Sequence, residues 1–451
     1  MKPNMENTSE IKSGKKDEQN FEREISFCTT TLGCKVNQFD TQAIEGMLLA
    51  EGFFPVKAGQ GADLCLINTC VVTANSFDKS VKAVKRLKKL EPMAKIALCG
   101  CLSQLDPLAA QELGADFIGG SDNRQRFAEE IIAYFRNEDG VDGKDSEESE
   151  GFETLKPGAA GGRTRALLKV QDGCDNFCAY CIVPYTRGRS RSIPFDTAAK
   201  QAQTLERDGF REIVITGIEI SSYGKDLAEK PSLISLVTKI AQAAPGTRLR
   251  LGSLDPSVIT DDFCKELRRL NNFCPHFHLS LQSGCDKTLG GMGRKYTTTN
   301  AARAVSTIRS YYPDSGISAD LIVGFPGETD EDFADSIAFI ENMKFSDMHI
   351  FSYSKREGTK AAGMPDQILK NVIQKRAKIA AEISGKMSAE FRKSQIGKNV
   401  SVLFESKRGQ HWVGRAENNI EVHVKGNFSK NEVCRARIVD FDGEVVVGEI
   451  H

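Results

Sequence analysis

Ten residues, Asp172-Gly173-Cys174-Asp175-Asn176-Phe177-Cys178-Ala179-Tyr180-Cys181, constrain this chain more than any other stretch. The spacing C-x3-C-x2-C puts three thiolates on one tight loop, so the scaffold must hold that loop where all three meet a common ligand. Three is one fewer than the four cysteines that usually hold an iron–sulfur cluster. A cubane on three cysteines keeps one iron open to chelate a small molecule, as catalytic zinc keeps an open position where structural zinc is closed. The competing reading is a zinc knuckle, and it lacks a fourth ligand. His276, His278, His349, His411, His423 and His451 are all distant in sequence, and none falls in a metal-binding spacing.

Upstream of this loop the pattern alternates strand and helix. Apolar runs at Ile25–Thr30, Ala62–Asn68 and Ala94–Leu98 read as strands, and Gln38–Ala50, Asn75–Leu90, Leu108–Leu113 and Arg124–Phe135 read as helices. The result is a small parallel α/β unit. Cys34, Cys70 and Cys101 each lie just past the C-terminal end of one of these strands, the edge where ligands bind in open parallel sheets. Three sequence-distant thiols converging there suggest a second three-thiolate cluster. The bland alternative is buried core cysteine, the reading we give Cys28, Cys65 and Cys99 inside the strands. Cys99 is the rival to Cys101 as third ligand, and Cys101 is preferred because it lies beyond Gly100 on the loop.

Residues 1–24 read as a polar tail, and residues 137–162, acidic and then glycine-rich, read as a flexible linker that lets the first unit move. Downstream, candidate strands Ala166–Val170, Glu212–Thr216, Arg248–Leu254, His276–Leu281, Ser318–Val323 and Met348–Ser352 alternate with helices. Six such repeats predict a parallel barrel or partial barrel, with its site at the C-terminal strand ends. Strand-end segments at 216–219, 252–255, 281–284 and 324–328 pair glycine with polar side chains, which suits close approach of backbone to a small ligand. Five short strands within 399–450 predict a small β-barrel of OB type.

With 60 basic against 61 acidic residues, any nucleic-acid contact must come from local patches. Candidates are Arg187, Arg189 and Arg191 beside the cysteine loop, and a helix carrying Lys79, Lys82, Lys85, Arg86, Lys88 and Lys89; both also suit a solvated surface. Thirteen cysteines, an odd and sparse count, and a polar N-terminus without an apolar core segment predict a soluble, cytoplasmic protein with reduced thiols and no membrane partner.

Four segments together resemble the methylthiotransferases, a family of radical S-adenosylmethionine (SAM) enzymes: Thr31-Leu32-Gly33-Cys34-Lys35-Val36-Asn37-Gln38, Ile67-Asn68-Thr69-Cys70-Val71-Val72-Thr73, Gly100-Cys101-Leu102-Ser103-Gln104 and the run from Val170 to Tyr185. The resemblance implies a tail at 1–24, a methylthiotransferase domain at 25–136, a linker at 137–162, a radical SAM domain at 163–385 and an RNA-binding TRAM barrel at 386–451. It implies two [4Fe–4S] clusters, one on Cys34, Cys70 and Cys101, the other on Cys174, Cys178 and Cys181. The second set would be catalytic, generating a 5′-deoxyadenosyl radical from SAM, with Gly217, Glu219, Ser253, Gln282 and Arg294 as SAM contacts. For Glu219 the bland alternative is a strand-end surface carboxylate.

The implied partners are the anticodon stem-loop of tRNA and a reducing donor such as a flavodoxin or ferredoxin, with the β-barrel and the basic helix gripping phosphates. The letters around Leu32–Gln38 and Gln171–Asp175 resemble the branch that methylthiolates C2 of N6-threonylcarbamoyladenosine-37. Rival readings are the branch acting on N6-isopentenyladenosine-37, a relative acting on a ribosomal-protein aspartate, a one-cluster radical SAM methylase, and an iron–sulfur RNA-binding redox sensor.

Overall fold

The computed structural model describes residues 24–137, 151–158 and 164–450. The predicted tail (bar Glu24) and most of the predicted linker therefore lie outside the described residues. The first unit contains β1 (Ser26–Thr31), α1 (Lys35–Ala50), β2 (Phe54–Pro55), β3 (Leu64–Thr69), α2 (Ala74–Leu90), β4 (Lys95–Gly100), α3 (Cys101–Leu105), α4 (Pro107–Glu112), β5 (Phe117–Ile118) and α5 (Arg124–Arg136). Its strands pair in parallel in the order β2-β1-β3-β4-β5. β3 is buried along its whole length, which explains its unbroken apolar run. The two-residue strands β2 and β5 are too short to leave a periodic signature.

The central unit opens with β6 (Arg165–Lys169), the antiparallel pair β7 (Gln171–Asp172) and β8 (Arg191–Ser192), the short helix α6 (Val183–Arg187) between them, and then α7 (Phe195–Arg207). It continues through β9 (Glu212–Thr216), α8 (Leu233–Ala243), β10 (Arg248–Leu251), β11 (Ser253–Leu254), α9 (Asp261–Arg268), β12 (His276–Gln282) and α10 (Asp286–Met292). It ends with α11 (Thr298–Tyr311), β13 (Gly316–Val323), α12 (Asp330–Met343), β14 (Asp347–Ser352) and α13 (Lys370–Lys393). The expected strand 248–254 is interrupted at Gly252, whose amide bonds to Ile215 O and whose added Cβ would lie 3.0 Å from that same carbonyl. The array splits there into two parallel sheets, β10-β9-β6 and β11-β12-β13-β14, which together form an open six-strand barrel.

Side-chain alternation sorts the two faces of this array. Ala166, Leu168, Ile213 and Ile215 join the large core with α7 and α8, whereas Leu167 and Val214, on the opposite face, pack against Phe39 and Ala43 of α1. The first unit thus inserts α1 against the inner wall of the barrel beside its open edge at β6. Fully burying side chains of this size is worth about 1.5–3 kcal/mol each, so the seat is firm. Residues 151–158 reinforce it, which corrects the expectation of a flexible connection there. Leu155 is buried with Phe39 and Ala43, Glu153 accepts from Gln125 N at 3.0 Å, and a Cβ at Gly158 would collide with Gln42 O.

The last five strands, β15 (Asn399–Arg408), β16 (His411–Ala416), β17 (Glu421–Lys425), β18 (Val433–Phe441) and β19 (Val446–Glu449), close a small barrel in the order β15-β16-β17-β19-β18. It covers the N-terminal mouth of the larger barrel. Arg165 pairs with Glu405 at 2.8 Å, Arg248 donates to Ser401 O at 2.8 Å, and Arg250 donates to Glu417 O and Ala416 O at 3.0 and 3.1 Å. Arg248 and Arg250 both also pair with the buried Glu212. Burial raises that carboxyl, but the two guanidiniums outweigh it and bring it down to about 2. The small barrel therefore sits at the end opposite the cysteine loop.

Candidate functional site

Cys34, Cys70 and Cys101 come together at the C-terminal edge of the first sheet. Cys34 is the N-cap of α1, Cys70 follows β3 directly, and Cys101 opens α3. Each of Cys34 and Cys70 feels the charge of Cys101, and Cys70 feels that of Cys34. The loop before Cys34 needs glycine: Gly33 has φ of +99°, and a Cβ there would lie 2.9 Å from the Cys70 Cβ and 3.0 Å from its Sγ. Asn37 clamps the strand ends, its Nδ2 donating to Leu32 O, Asn68 Oδ1 and Thr69 O at 2.9–3.0 Å. The Cys70 amide is held by Ser80 Oγ at 3.1 Å. Cys99 turns the other way, into the core with Phe27 and Phe127, so the geometry groups Cys101 rather than Cys99 with the other two.

The second loop hangs between β7 and β8. Cys174 N bonds Gly188 O at 3.1 Å, Ala179 N bonds Met292 O at 2.8 Å, and Cys181 N bonds Cys178 O at 2.9 Å. Gly173, at φ +70°, abuts the Arg189 carbonyl so closely that no Cβ fits. Around this loop stand the strand-end residues expected from sequence. Gly217 leaves only backbone against Gln171, where a Cβ would lie 2.8 Å from the carbonyl oxygen. Glu219 is 8% exposed; its amide donates to Gln171 Oε1 at 2.7 Å, and burial and then Asp255 push its carboxyl up. Arg294 donates to Cys178 Sγ at 3.4 Å and to Asp255 Oδ2 at 3.0 Å. Ser253 lies in β11 opposite His278, and Gln282 has φ of +65° at an irregularity in the β12–β13 pairing.

Both thiol sets are suited to an iron–sulfur group. Burial raises the Cys34 thiol, raises Cys70 and Cys174 to about 11 and Cys181 to about 12, so without a metal these sulfurs stay protonated. A cationic cluster reverses that balance by binding thiolate, with release of the protons. Among the described residues, His278, Asp320 and His349 also bring three ligand atoms within 4.8 Å of one another.

Sequence reasoning missed the device that joins the two sets. Asp40, on α1, accepts from Arg124 and Lys169 at 2.8 Å and from Arg187 at 3.3 Å, while Asp172 pairs with Arg187 at 2.9 Å and Lys169 at 3.2 Å. Arg187 also donates to Asn37 Oδ1 at 2.6 Å, the same residue that clamps the strand ends beside the Gly33–Cys34 loop. All five charged side chains are at most 6% exposed. Burial raises Asp40, and Arg124, Lys169 and Arg187 together outweigh it, holding the carboxyl below its ordinary range. Arg187 is therefore neither free for phosphate nor solvated, which corrects both readings of it; Arg189, 79% exposed, makes only a surface pair with Asp175 at 2.7 Å. The available signal was polar Asn37 and Asp40 on the same helical stripe as Ile44 and Leu48, buried positions that an amphipathic helix normally gives to apolar residues.

Two further surfaces flank the loops. Lys79, Lys82, Lys85, Arg86, Lys88 and Lys89 are exposed along α2, whose first turn, near Cys70, is tied down by a bond from Ala74 N to Ser354 Oγ at 3.0 Å. Phe177 and Tyr185, exposed aromatic rings 5.9 Å apart, edge the second cysteine loop. Among the described residues no helix is long and apolar enough to cross a membrane.

The Radical SAM superfamily model matches residues 168–340, and the model of Uncharacterized protein family UPF0004 matches residues 26–119. A threonylcarbamoyladenosine tRNA methylthiotransferase MtaB from Bacillus subtilis is 34% identical over 404 residues, covering 88% of this chain and 89% of that protein. A protein of the same name from Chlamydia pneumoniae is 34% identical over 430 residues, covering 94% and 98%. A tRNA-2-methylthio-N(6)-dimethylallyladenosine synthase from Acetivibrio thermocellus is 33% identical over 430 residues, covering 93% and 88%. Among solved structures, the radical SAM methyltransferase TsrM from Kitasatospora setae superposes with a TM-score of 0.53 at 15% identity, covering 73% of each chain, a likeness of fold alone.

Proposed function

This chain belongs to the radical SAM methylthiotransferase family, and we propose that it inserts a methylthio group at C2 of N6-threonylcarbamoyladenosine-37 in tRNA. The observation that carries the reading is the pair of three-cysteine sets, on two units locked together through Asp40 and Arg187. Adenine C2 bears a hydrogen on an unactivated aromatic carbon, beyond the reach of a side-chain acid or base, so cofactors must supply the chemistry. When bound, two [4Fe–4S] clusters and SAM supply a methylated sulfur and the radical that removes the C2 hydrogen.

The chain's own residues hold and orient these groups. Cys34, Cys70 and Cys101 would hold the sulfur-bearing cluster, and Cys174, Cys178 and Cys181 the one that faces SAM. Glu219 and the backbone at Gly217 suit the amine end of SAM, with Ser253 and Gln282 at neighbouring strand ends. Arg294, fixed by Asp255, places a positive charge on the Cys178 sulfur. Residue 37 of tRNA lies in a single-stranded loop, where a base can splay out and stack on aromatic rings. Phe177 and Tyr185 suit that stacking, and the lysines of α2 suit the flanking phosphates. The small β-barrel, at the far mouth of the large one, would meet RNA away from the modified base. Its side chains Lys407 and Arg408 are exposed for that contact.

The test is nucleoside mass spectrometry of tRNA from a strain lacking this gene. Loss of the 2-methylthio form of threonylcarbamoyladenosine, with its unmodified precursor accumulating, is expected. Its retention in a strain without a second copy of the gene overturns the assignment.

A further inference from the structure

The first residue of α1, Lys35, is next to Cys34 in the chain and directs its ammonium toward the interior of the barrel. It lines a cavity of about 320 Å³ together with Gln38, Arg165, Leu167 and Val214. Its charge is felt by His276 and His349, and it feels Arg165, Arg250 and Asp320 in turn. The charged groups around it are already engaged. Arg165 is paired with Glu405 and Arg250 with Glu212, and Asp320 accepts from His278 at 3.1 Å and His349 at 3.2 Å. Among the described residues the Lys35 ammonium has neither a hydrogen bond nor an ion pair. Lys35 is exposed in this cavity, so its ammonium is open to a ligand carboxylate, with which it would form a charge-assisted hydrogen bond.

The geometry points to Lys35 as the residue that recognises the carboxylate of the threonylcarbamoyl group, and so sets the substrate within the family. This rests on the function proposed above. In adenine, C2 and C6 both flank N1, so the C2 hydrogen and the N6 substituent share one edge of the ring. A base whose C2 meets the space between the two cysteine sets therefore holds its N6 substituent beside that space rather than across the ring from it, and the cavity holding Lys35 begins one residue beyond Cys34. A threonylcarbamoyl substituent ends in a carboxylate, which the ammonium attracts. A dimethylallyl substituent is a neutral hydrocarbon, which strips water from the ammonium and returns nothing. The same lysine thus favours one substrate and disfavours the other.

The test uses the full-length protein with both clusters reconstituted and three anticodon stem-loop RNAs, carrying threonylcarbamoyladenosine, isopentenyladenosine or unmodified adenosine at position 37. Fluorescence anisotropy should give the wild type a preference of about ten-fold or more for the first RNA over the third, as expected for a charge-assisted contact. Lys35→Gln should reduce that preference to within about two-fold, and Lys35→Arg should keep most of it. Because Lys35 neighbours a cysteine, each variant is compared at matched iron content. A fourth RNA, bearing the methyl ester of threonylcarbamoyladenosine, tests the contact without a mutation, and the wild type should bind it like unmodified RNA. Full preference in Lys35→Gln, or ester binding as tight as the free acid, overturns the assignment of Lys35 and leaves the proposed function standing. A wild type that prefers the isopentenyl RNA overturns both.

Discussion

Replacing Asp40 with asparagine should loosen the seat of the first unit in the barrel. The side chain is fully buried and neutralises part of a group of three cations, Arg124, Lys169 and Arg187, that share three carboxylates, Asp40, Asp172 and the more distant Glu153, 3.8 Å from Arg124. Asp40→Asn leaves those three cations facing Asp172 and Glu153 alone. Breaking a buried pair from one side costs about 3–5 kcal/mol, a large part of the 5–15 kcal/mol that typically holds a fold. At about 1.4 kcal/mol per factor of ten, the separated state becomes about a hundred to several thousand times more populated.

Hydrogen exchange followed by mass spectrometry reads this directly, as faster exchange in α1 and β6 with α8 and α11 unaffected. The double variant Asp40→Asn with Lys169→Met restores the original balance of charge, so it should exchange more slowly than Asp40→Asn alone. Wild-type exchange in Asp40→Asn, or strict additivity in the double variant, would refute the claim that this network locks the two units.

Three other outcomes follow from the same structure. Gly33→Ala forces a Cβ to within 2.9 Å of Cys70 at φ +99°, so iron per chain should fall from about eight toward about four while the second cluster is retained, as read by iron and sulfide analysis. Cys178→Ala should abolish 5′-deoxyadenosine formation from SAM under reducing conditions, and persistent cleavage would show that the radical centre lies elsewhere. Glu212 has a depressed pKa of about 2, so the stability it contributes is present above the ordinary glutamate value of about 4.3 and is lost as pH falls toward 2. In the metal-free protein, the urea midpoint should fall across that window, and Glu212→Gln should flatten the dependence.

The scaffold was readable in the sequence because strand and helix repeats write themselves as period. All six central strands, the five-strand barrel and the strand-end positions of Cys34, Cys70 and Cys101 followed from that rhythm, and relatives 34% identical over most of the chain agree with the family that the cysteine motifs suggested. What periodicity could not show was where charge goes once units dock. Arg187 sits among other arginines in a run whose composition also suits a solvated loop, and only tertiary packing against Asp40 and Asp172 buries it. Lys35 was likewise read as one letter of a cysteine motif, because the barrel wall it faces is supplied by residues more than a hundred positions away. The break at Gly252 depends on the approach of Ile215, a contact that no local pattern records.

One reaction tests the proposed function most directly. Anaerobically reconstituted full-length protein, given excess SAM, a low-potential reductant and equal amounts of stem-loop RNAs carrying threonylcarbamoyladenosine or isopentenyladenosine at position 37, is followed by nucleoside mass spectrometry. The expected product is the 2-methylthio derivative of threonylcarbamoyladenosine, formed while the isopentenyl RNA is left unchanged. Methylthiolation of the isopentenyl RNA instead, or addition of a methyl group without sulfur, would contradict it.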